Sequence, residues 1–361
     1  MKNLWILLLL ISPSLFAQET HFTFTGKVID KNTKGPLAGA SVFAQNTTFG
    51  VATDAQGEFR LKLPLGGYAL VITFTGYETE SMRISNSVEM NNVTVELKPK
   101  EKSMEEVSIV ASNEVKDGWK KYGSFFNENF IGKSEFSRQA VITNPEVLKF
   151  FFSKKRNRLK VTATEPLVVN NDALGYTVKF AVDSFTYEYN THTTLFVGYP
   201  LFEEKTGSAE QQLVWKKNRA EAYNGSLLHF LRSLFNKTLS QEGFEVQFLV
   251  NDNNNEKTIT LTNAYGALNY EKDDSTNTVL FSPNQPDVIV IYQKAKPQQA
   301  FLDFDPKVKK DFQASVLSVL PGKDIVIEQN GYYYDQSDII VNGYWGFMKI
   351  GDMLPYDYKV E

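Results

Sequence analysis

Three histidines, His21, His192 and His229, are the side chains best suited to proton transfer or metal binding near neutral pH. A zinc peptidase needs His-x-x-Glu and a distant third ligand, because two imidazoles and a carboxylate must hold the metal while one position stays open for water. Three residues beyond these histidines stand Phe24, Leu195 and Arg232, so that motif is missing. The chain has no cysteine. Thiol nucleophiles, thiolate zinc sites, redox pairs and disulfides are therefore excluded together. The nucleophile elbow Gly-x-Ser-x-Gly, the phosphate loop and Gly-x-Gly-x-x-Gly are also missing. The asparagine run at 251–255 has the composition of a calcium loop but lacks its glycine at position six and glutamate at position twelve. Carboxylates are plentiful, yet no spacing pairs two of them across a cleft. The reading is a non-enzyme with no catalytic residue, no metal and no cofactor. A hydrolase acting on a peptide or glycan is the weaker alternative.

The remaining candidates are binding residues. Residues 227–239 read as an amphipathic helix, with Leu227, Phe230, Leu231, Leu234, Phe235 and Leu239 on one face. Ser226 can cap it and Gly243 can end it. His229 and Arg232 fall on the polar face with Ser233, Asn236 and Lys237, which suggests an anion contact or simply solvated charge. Tyr332, Tyr333, Tyr334 and Trp345 in an aromatic tail could stack on a sugar or peptide, or could fill a core. Lys154, Lys155, Arg156 and Arg158 crowd a hairpin turn, where solvation accounts for them as well as an anion does.

These residues need elements to position them. From Phe22 the pattern has period two: Phe22, Phe24, Gly26 and Val28 on one face, then Phe59, Leu61 and Leu63, then Tyr68, Leu70, Ile72 and Phe74, then Val93, Val95 and Leu97. Such alternation predicts strands with one face in a core. The sequence 54–57, Asp-Ala-Gln-Gly, fits a type I turn, and Pro64 with Gly66 and Gly67 makes another reversal. Short strands at this spacing predict a β-sandwich.

Residues 26–77 also resemble a known family. A strand opening on Gly26-Lys27-Val28 leads to Gly35-Pro36-Leu37-Ala38-Gly39-Ala40-Ser41-Val42. Gly50, Thr53-Asp54 and Gly57-Glu58-Phe59 come next, and the run closes on Gly76-Tyr77. This resembles the carboxypeptidase regulatory-like domain. The resemblance implies a seven-stranded prealbumin-like (transthyretin-like) sandwich that accompanies an enzyme in some relatives and is itself non-catalytic. The segment 104–110, Met-Glu-Glu-Val-Ser-Ile-Val, resembles the stretch directly after that sandwich in TonB-dependent outer-membrane transporters. Too little chain remains beyond it for their barrel, so a short docking strand is expected instead.

Beyond Asn113 the pattern is mixed. A helix is predicted over 115–130, strands over 147–152, 159–163, 167–171, 176–189 and 193–198, more strands after Gly243, and a helix-like run over 346–354. Segments around residues 129–148, 174–176, 199–203 and 223–234 resemble exported Bacteroidota proteins that carry the same sandwich and have no established activity.

Lys2, the apolar run 5–11, Pro13 and the cleavage site offered by Ser14-Leu15-Phe16-Ala17 before Gln18 read as a signal peptide. The expected order is therefore signal peptide 1–17, sandwich 18–98, linker 99–113 and a β-rich α+β domain with about two helices, 114–361. The expected location is the periplasm or the outer membrane, reached without a lipid-anchored cysteine and without a transmembrane helix in the mature chain. A net charge of −4 argues against nucleic acid. The expected partner is an envelope protein or polymer, with the sandwich docking or stabilising a C-terminal binding domain. An accessory role beside an outer-membrane transporter or assembly complex is the alternative.

Overall fold

The computed structural model describes residues 21–86, 92–100, 113–252 and 255–360. The expected signal peptide and the segment 104–110 lie outside the described residues. The first seven strands are β1 (His21–Asp30), β2 (Ser41–Ala44), β3 (Gly50–Ala52), β4 (Glu58–Pro64), β5 (Gly67–Thr73), β6 (Glu80–Ser85) and β7 (Val93–Leu97). They form two facing sheets, ordered β4-β1-β7 and β3-β2-β5-β6. Phe24, Val28, Leu61, Leu70, Ile72 and Val95 fill the space between them, as the period-two pattern requires. Gly57 turns the chain at φ 75°, and a Cβ there would lie 2.5 Å from the Val28 carbonyl oxygen. Asp30 ends β1 by accepting from the amides of Asn32 and Thr33 and from Tyr77 Oη at 2.6 Å. The Tyr77 hydroxyl first, then the amides, holds this carboxyl below the ordinary aspartate value.

The second layer starts with α1 (Gly118–Phe130) and continues through β8 (Ala140–Ile142), β9 (Leu148–Ser153), β10 (Arg158–Ala163), β11 (Leu167–Asn171), β12 (Tyr176–Glu188) and β13 (Thr193–Glu204). The long strand β12 takes β13 along one side and β11 then β10 along the other, with β8 and β9 outermost. Alternation along β12 sends Tyr176, Val178, Phe180, Val182 and Phe185 inward. There they meet Phe126 and Phe130 of α1, both fully buried; the rings of Phe126 and Phe185 lie 4.9 Å apart.

The chain then forms α2 (Ala209–Tyr223), α3 (Leu227–Phe235), α4 (Leu239–Glu242), β14 (Phe244–Asp252), β15 (Asn255–Thr260), α5 (Ala264–Ala267), β16 (Glu271–Asp273), β17 (Thr278–Phe281) and β18 (Asp287–Tyr292). It closes with α6 (Gln299–Phe304), β19 (Gln313–Val319), β20 (Ile325–Glu328), β21 (Ile339–Gly343) and α7 (Tyr344–Phe347). A sheet β15-β14-β18-β19-β21 and a smaller sheet β16-β17-β20 enclose a second core, into which α3 drops Phe230, Leu231, Leu234 and Phe235. The chain is thus β-rich and α+β, with more helical segments than the two expected. The helix expected over 227–239 breaks at Asn236, because Lys237 takes φ 57° and restarts the chain as α4. Residues 346–354 are not one helix: α7 ends at Phe347, and only a 3₁₀ turn, Ile350–Asp352, comes after it.

The tail then crosses back to the second layer. Ser134 and Ser137 donate their hydroxyls to Asp352 at 2.5 and 3.2 Å, and Asn171 donates to the Gly351 carbonyl at 2.8 Å. Ile350 and Leu354 join the core beneath α1. Among the described residues no helix is long and apolar enough to cross a membrane.

Candidate functional site

Three of the side chains singled out in the sequence, Tyr332, Tyr334 and Arg232, meet at the joint between the sandwich and the rest of the chain. Its floor is β5. Strands with one solvated face alternate, but β5 buries nearly every residue: Tyr68, Leu70 and Ile72 point into the sandwich, while Ala69 and Val71 face the other way and are buried too. Ala69 packs with Tyr332 and Tyr356, so the outer face of this sheet is an interface.

Main-chain bonds hold the joint. Asn46, in the left-handed region at φ 57°, donates its N–H to the Pro200 carbonyl at 2.7 Å and accepts from the Tyr356 N–H at 2.7 Å. Phe202 donates to the Thr47 carbonyl at 2.9 Å. Thr48 gives both its amide and its hydroxyl to Asp357, at 2.9 and 2.5 Å. Burial raises the Asp357 pKa, and the Thr48 bonds oppose that rise.

Beside these bonds sits a polar triad. The Arg83 guanidinium lies 3.8 Å above the Tyr334 ring and bonds its hydroxyl; Tyr334 donates that hydroxyl to Glu328. Arg83 reaches Glu328 itself at 3.5 Å, and Glu328 is only 4% exposed. Burial, then the Glu328 bond, raises the Tyr334 pKa strongly. Tyr332 stands beside Tyr334 and edge-on to Tyr356, and burial pushes its phenol up to about 12.

Arg232 anchors the tail from behind. Its guanidinium donates to three carbonyls: Asn330 at 3.0 Å, Tyr358 at 2.9 Å and Tyr356 at 2.8 Å. The rigid fork suits this task, since five N–H groups spread over one plane.

The sequence puts His229 on a polar helix face, and the structure corrects this. The residue is 4% exposed, stacked on Tyr223 at 4.6 Å and edge-on to Phe244 and Tyr292. A helical wheel of α3 shows one apolar side, but the helix is covered on both sides, and Ser233 is buried as well. His229 Nδ1 accepts from the Gly225 N–H at 3.1 Å, which leaves Nε2–H for Glu242 at 3.3 Å. Burial lowers its pKa.

The other two aromatics go elsewhere. Trp345 donates its indole N–H to the Gly225 carbonyl at 2.7 Å and packs on Phe230. Tyr333 bridges Ile327 at the rim of the same core, and burial takes its phenol to about 12. Tyr332, Tyr334 and Arg232 therefore share one place, while His229, Tyr333 and Trp345 support the core behind it. Sequence reasoning missed Asn46, Thr48, Arg83, Glu328 and Asp357. The signal that could have found the joint is the unbroken apolar run in β5, which marks a strand covered on both faces.

Two grooves flank the sandwich. One, of about 670 Å³, opens at Gly26 between Lys27, Glu58, Arg60 and Thr94. The other, of about 200 Å³, lies between the β2–β5 side and residues 163–166 and 181–183. Neither is lined by a histidine. Among the described residues no three His, Asp or Glu side chains stand close enough to hold a metal.

Comparison with known proteins agrees with the sandwich. Residues 24–109 match the family described as the CarboxypepD_reg-like domain. A stretch of 107 residues is 34% identical to the TonB-dependent receptor SusC of Bacteroides thetaiotaomicron, covering 29% of this chain. The match spans only 10% of that receptor's length. A 3-chlorocatechol 1,2-dioxygenase from Rhodococcus opacus is 14% identical over 23% of this chain and 62% of its own, at a TM-score of 0.19. A DUF3823 family protein from Bacteroides ovatus is 14% identical over 51% of this chain and 81% of its own, at 0.17.

Proposed function

We propose that this chain is a non-catalytic cell-envelope protein in which the regulatory-like sandwich serves as a docking module for the β-rich region beginning near residue 114. One observation carries the reading: the sandwich spends the outer face of β5 and the 45–48 loop on the rest of the chain. In this reading Tyr332, Tyr334 and Arg232 are joint residues, and Tyr333, Trp345 and His229 keep the surface beneath them in shape.

The match to part of a TonB-dependent receptor favours one kind of partner, a receptor of that class or its assembly machinery in the envelope. The protein would be exported to the periplasmic side and would reach the outer membrane through that partner. The test is affinity capture of the tagged full chain from detergent-solubilised envelope, beside a variant with Arg83 and Thr48 replaced by alanine. Recovery of a TonB-dependent receptor with the parent, and less with the variant, supports the reading. Recovery of the chain alone from the soluble fraction overturns it.

A further inference from the structure

We propose that the exposed edge of β13 pairs with the same edge of a second copy, joining two chains through one continuous antiparallel sheet. An open sheet edge presents a row of unpaired N–H and C=O groups, and natural proteins blunt such edges with charges, proline, shortness or a covering element. Most other edges among the described residues follow that rule. β4 carries Glu58, Arg60 and Lys62, β6 carries Glu80 and Arg83, and β7 carries Glu96. β9 is bridged by Glu114 and β3 and β8 have three residues each, while β21 is uncharged but only five residues long, with α7 packed against it.

The first seven residues of β13 break the rule; its proline and charges, Pro200, Glu203 and Glu204, come only at the far end. Thr193-Thr194-Leu195-Phe196-Val197-Gly198-Tyr199 has no charge and no proline, and it pairs with β12 on one side only. Leu195 is 64% exposed and Val197 43%, side by side on one face. Among the described residues the outer edge finds backbone partners only further along. Asn46 donates to the Pro200 carbonyl, Phe202 donates to Thr47, and Thr47 bridges Leu201. The strand is already used as a pairing edge at one end, and the open seven residues continue that interface.

The sequence suits a second copy. An antiparallel pairing centred on Phe196 sets Leu195 opposite Val197 of the other copy, twice. Thr194 falls opposite Gly198, and Thr193 opposite Tyr199. No like charges meet, and the two exposed aliphatic side chains cover each other. A one-residue slip would place each against the wrong face, and a two-residue slip would lose the Leu195–Val197 pairs.

The test uses the full chain, which has no cysteine of its own. Sedimentation velocity from micromolar to near-millimolar concentration should show a reversible dimer. The variant L195K/V197K puts lysine opposite lysine at both pairs and should weaken the dimer at least about tenfold. Its thermal unfolding should stay close to the parent's, because both sites are exposed. An independent arm mixes L195C protein with V197C protein under mild oxidation. Directly opposed Cβ atoms lie about 4.5–5.5 Å apart, so the mixture should cross-link faster than either variant alone. A parent that stays monomeric throughout, a dimer untouched by L195K/V197K, or cross-linking no faster in the mixture each overturns the proposal. Should the lysine variant misfold, the cysteine mixture decides alone.

Discussion

Arg232 donates to the carbonyl of Tyr356 at 2.8 Å, and the amide of Tyr356 donates to Asn46 at 2.7 Å. A helix of the second core is thereby wired through one tail residue to the sandwich. Arg232→Lys keeps the charge but cannot reach three carbonyls from one ammonium. At least one partly buried acceptor would be left without a donor, at roughly 1–3 kcal/mol. The expected result in urea unfolding is a loss of about 1–3 kcal/mol. A loss within about 0.5 kcal/mol, the range of an ordinary surface change, would mean the fork is ornamental.

Arg83, Tyr334 and Glu328 give a separate handle on the same joint. Arg83 is half exposed, so its direct attraction to Glu328 is modest. The larger effect of Arg83→Ala is to remove the guanidinium from the Tyr334 ring and leave the buried Glu328 carboxylate with less compensation. Differential scanning calorimetry of Arg83→Ala should show an earlier sandwich transition separating from the main one. Tyr334→Phe should move the same way by less. A single unchanged transition in both would exclude the triad as a clasp.

The sandwich was legible because its rule is local. Alternation from Phe22 to Leu97, the Asp54–Gly57 turn and the glycines report on themselves within a few residues. The joint was not, because Asn46, Arg83 and Asp357 acquire meaning only when strands distant in sequence meet. The one local clue, Ala69 and Val71 alternating with Leu70 and Ile72, reads as a doubly covered strand but does not name the cover. His229 was misplaced for a related reason. A helical wheel assumes one solvated side, whereas Phe244, Tyr292 and Tyr223 close over the supposed polar side of α3. The helix α2 escaped notice because its hold is polar: Leu213 and Val214 are exposed, and the contacts run from Trp215, Asn218 and Arg219 to backbone carbonyls.

His229 should make stability depend on mild acid. Burial lowers its pKa below the ordinary 6.5; Glu242 opposes this, while Lys294 and Arg232 add to it. The unfolded chain takes up a proton as pH falls through about 6.5, and the folded chain resists. Stability contributed by the neutral imidazole is therefore complete above that point and declines below it. His229→Phe should be less stable overall, since the Gly225 N–H loses its acceptor, and should have a flatter slope between pH about 7 and about 5. An equal slope in parent and variant would assign the dependence to other groups.

Asp352 should act with the opposite sign. Burial raises its pKa from 3.8 to about 6, although Ser134, the Lys349 amide and Ser137 all donate to it. The folded chain then holds a proton that the unfolded chain has already released. Stability falls as pH rises from about 4 through about 6. Asp352→Asn is uncharged throughout and should remove that fall. The carboxyl carbon of Asp352, followed by NMR, should titrate near 6. A midpoint near 4 would show that the three donors outweigh burial.

Gly175 tests how α2 is held. It turns the β11–β12 hairpin at φ 68°, and its own carbonyl accepts from Arg219 at 3.1 Å. Trp215 and Asn218 read the preceding carbonyls of Asp172 and Ala173, each at 2.8 Å, and Arg219 also takes that of Leu174 at 2.7 Å. Four consecutive carbonyls are thus satisfied by three side chains of one helix. A Cβ at Gly175 would stand 2.2 Å from the Trp215 ring and would need a left-handed backbone at the same time. The indole cannot retreat without dropping its bond to Asp172. Gly175→Ala should therefore cost about 2–4 kcal/mol by combined strain and overpacking. Trp215→Phe should relieve the collision but forfeit the bond, so the double variant should be less damaged than the sum of the singles. Strict additivity in chemical denaturation would show that α2 and the hairpin are not clamped through this contact.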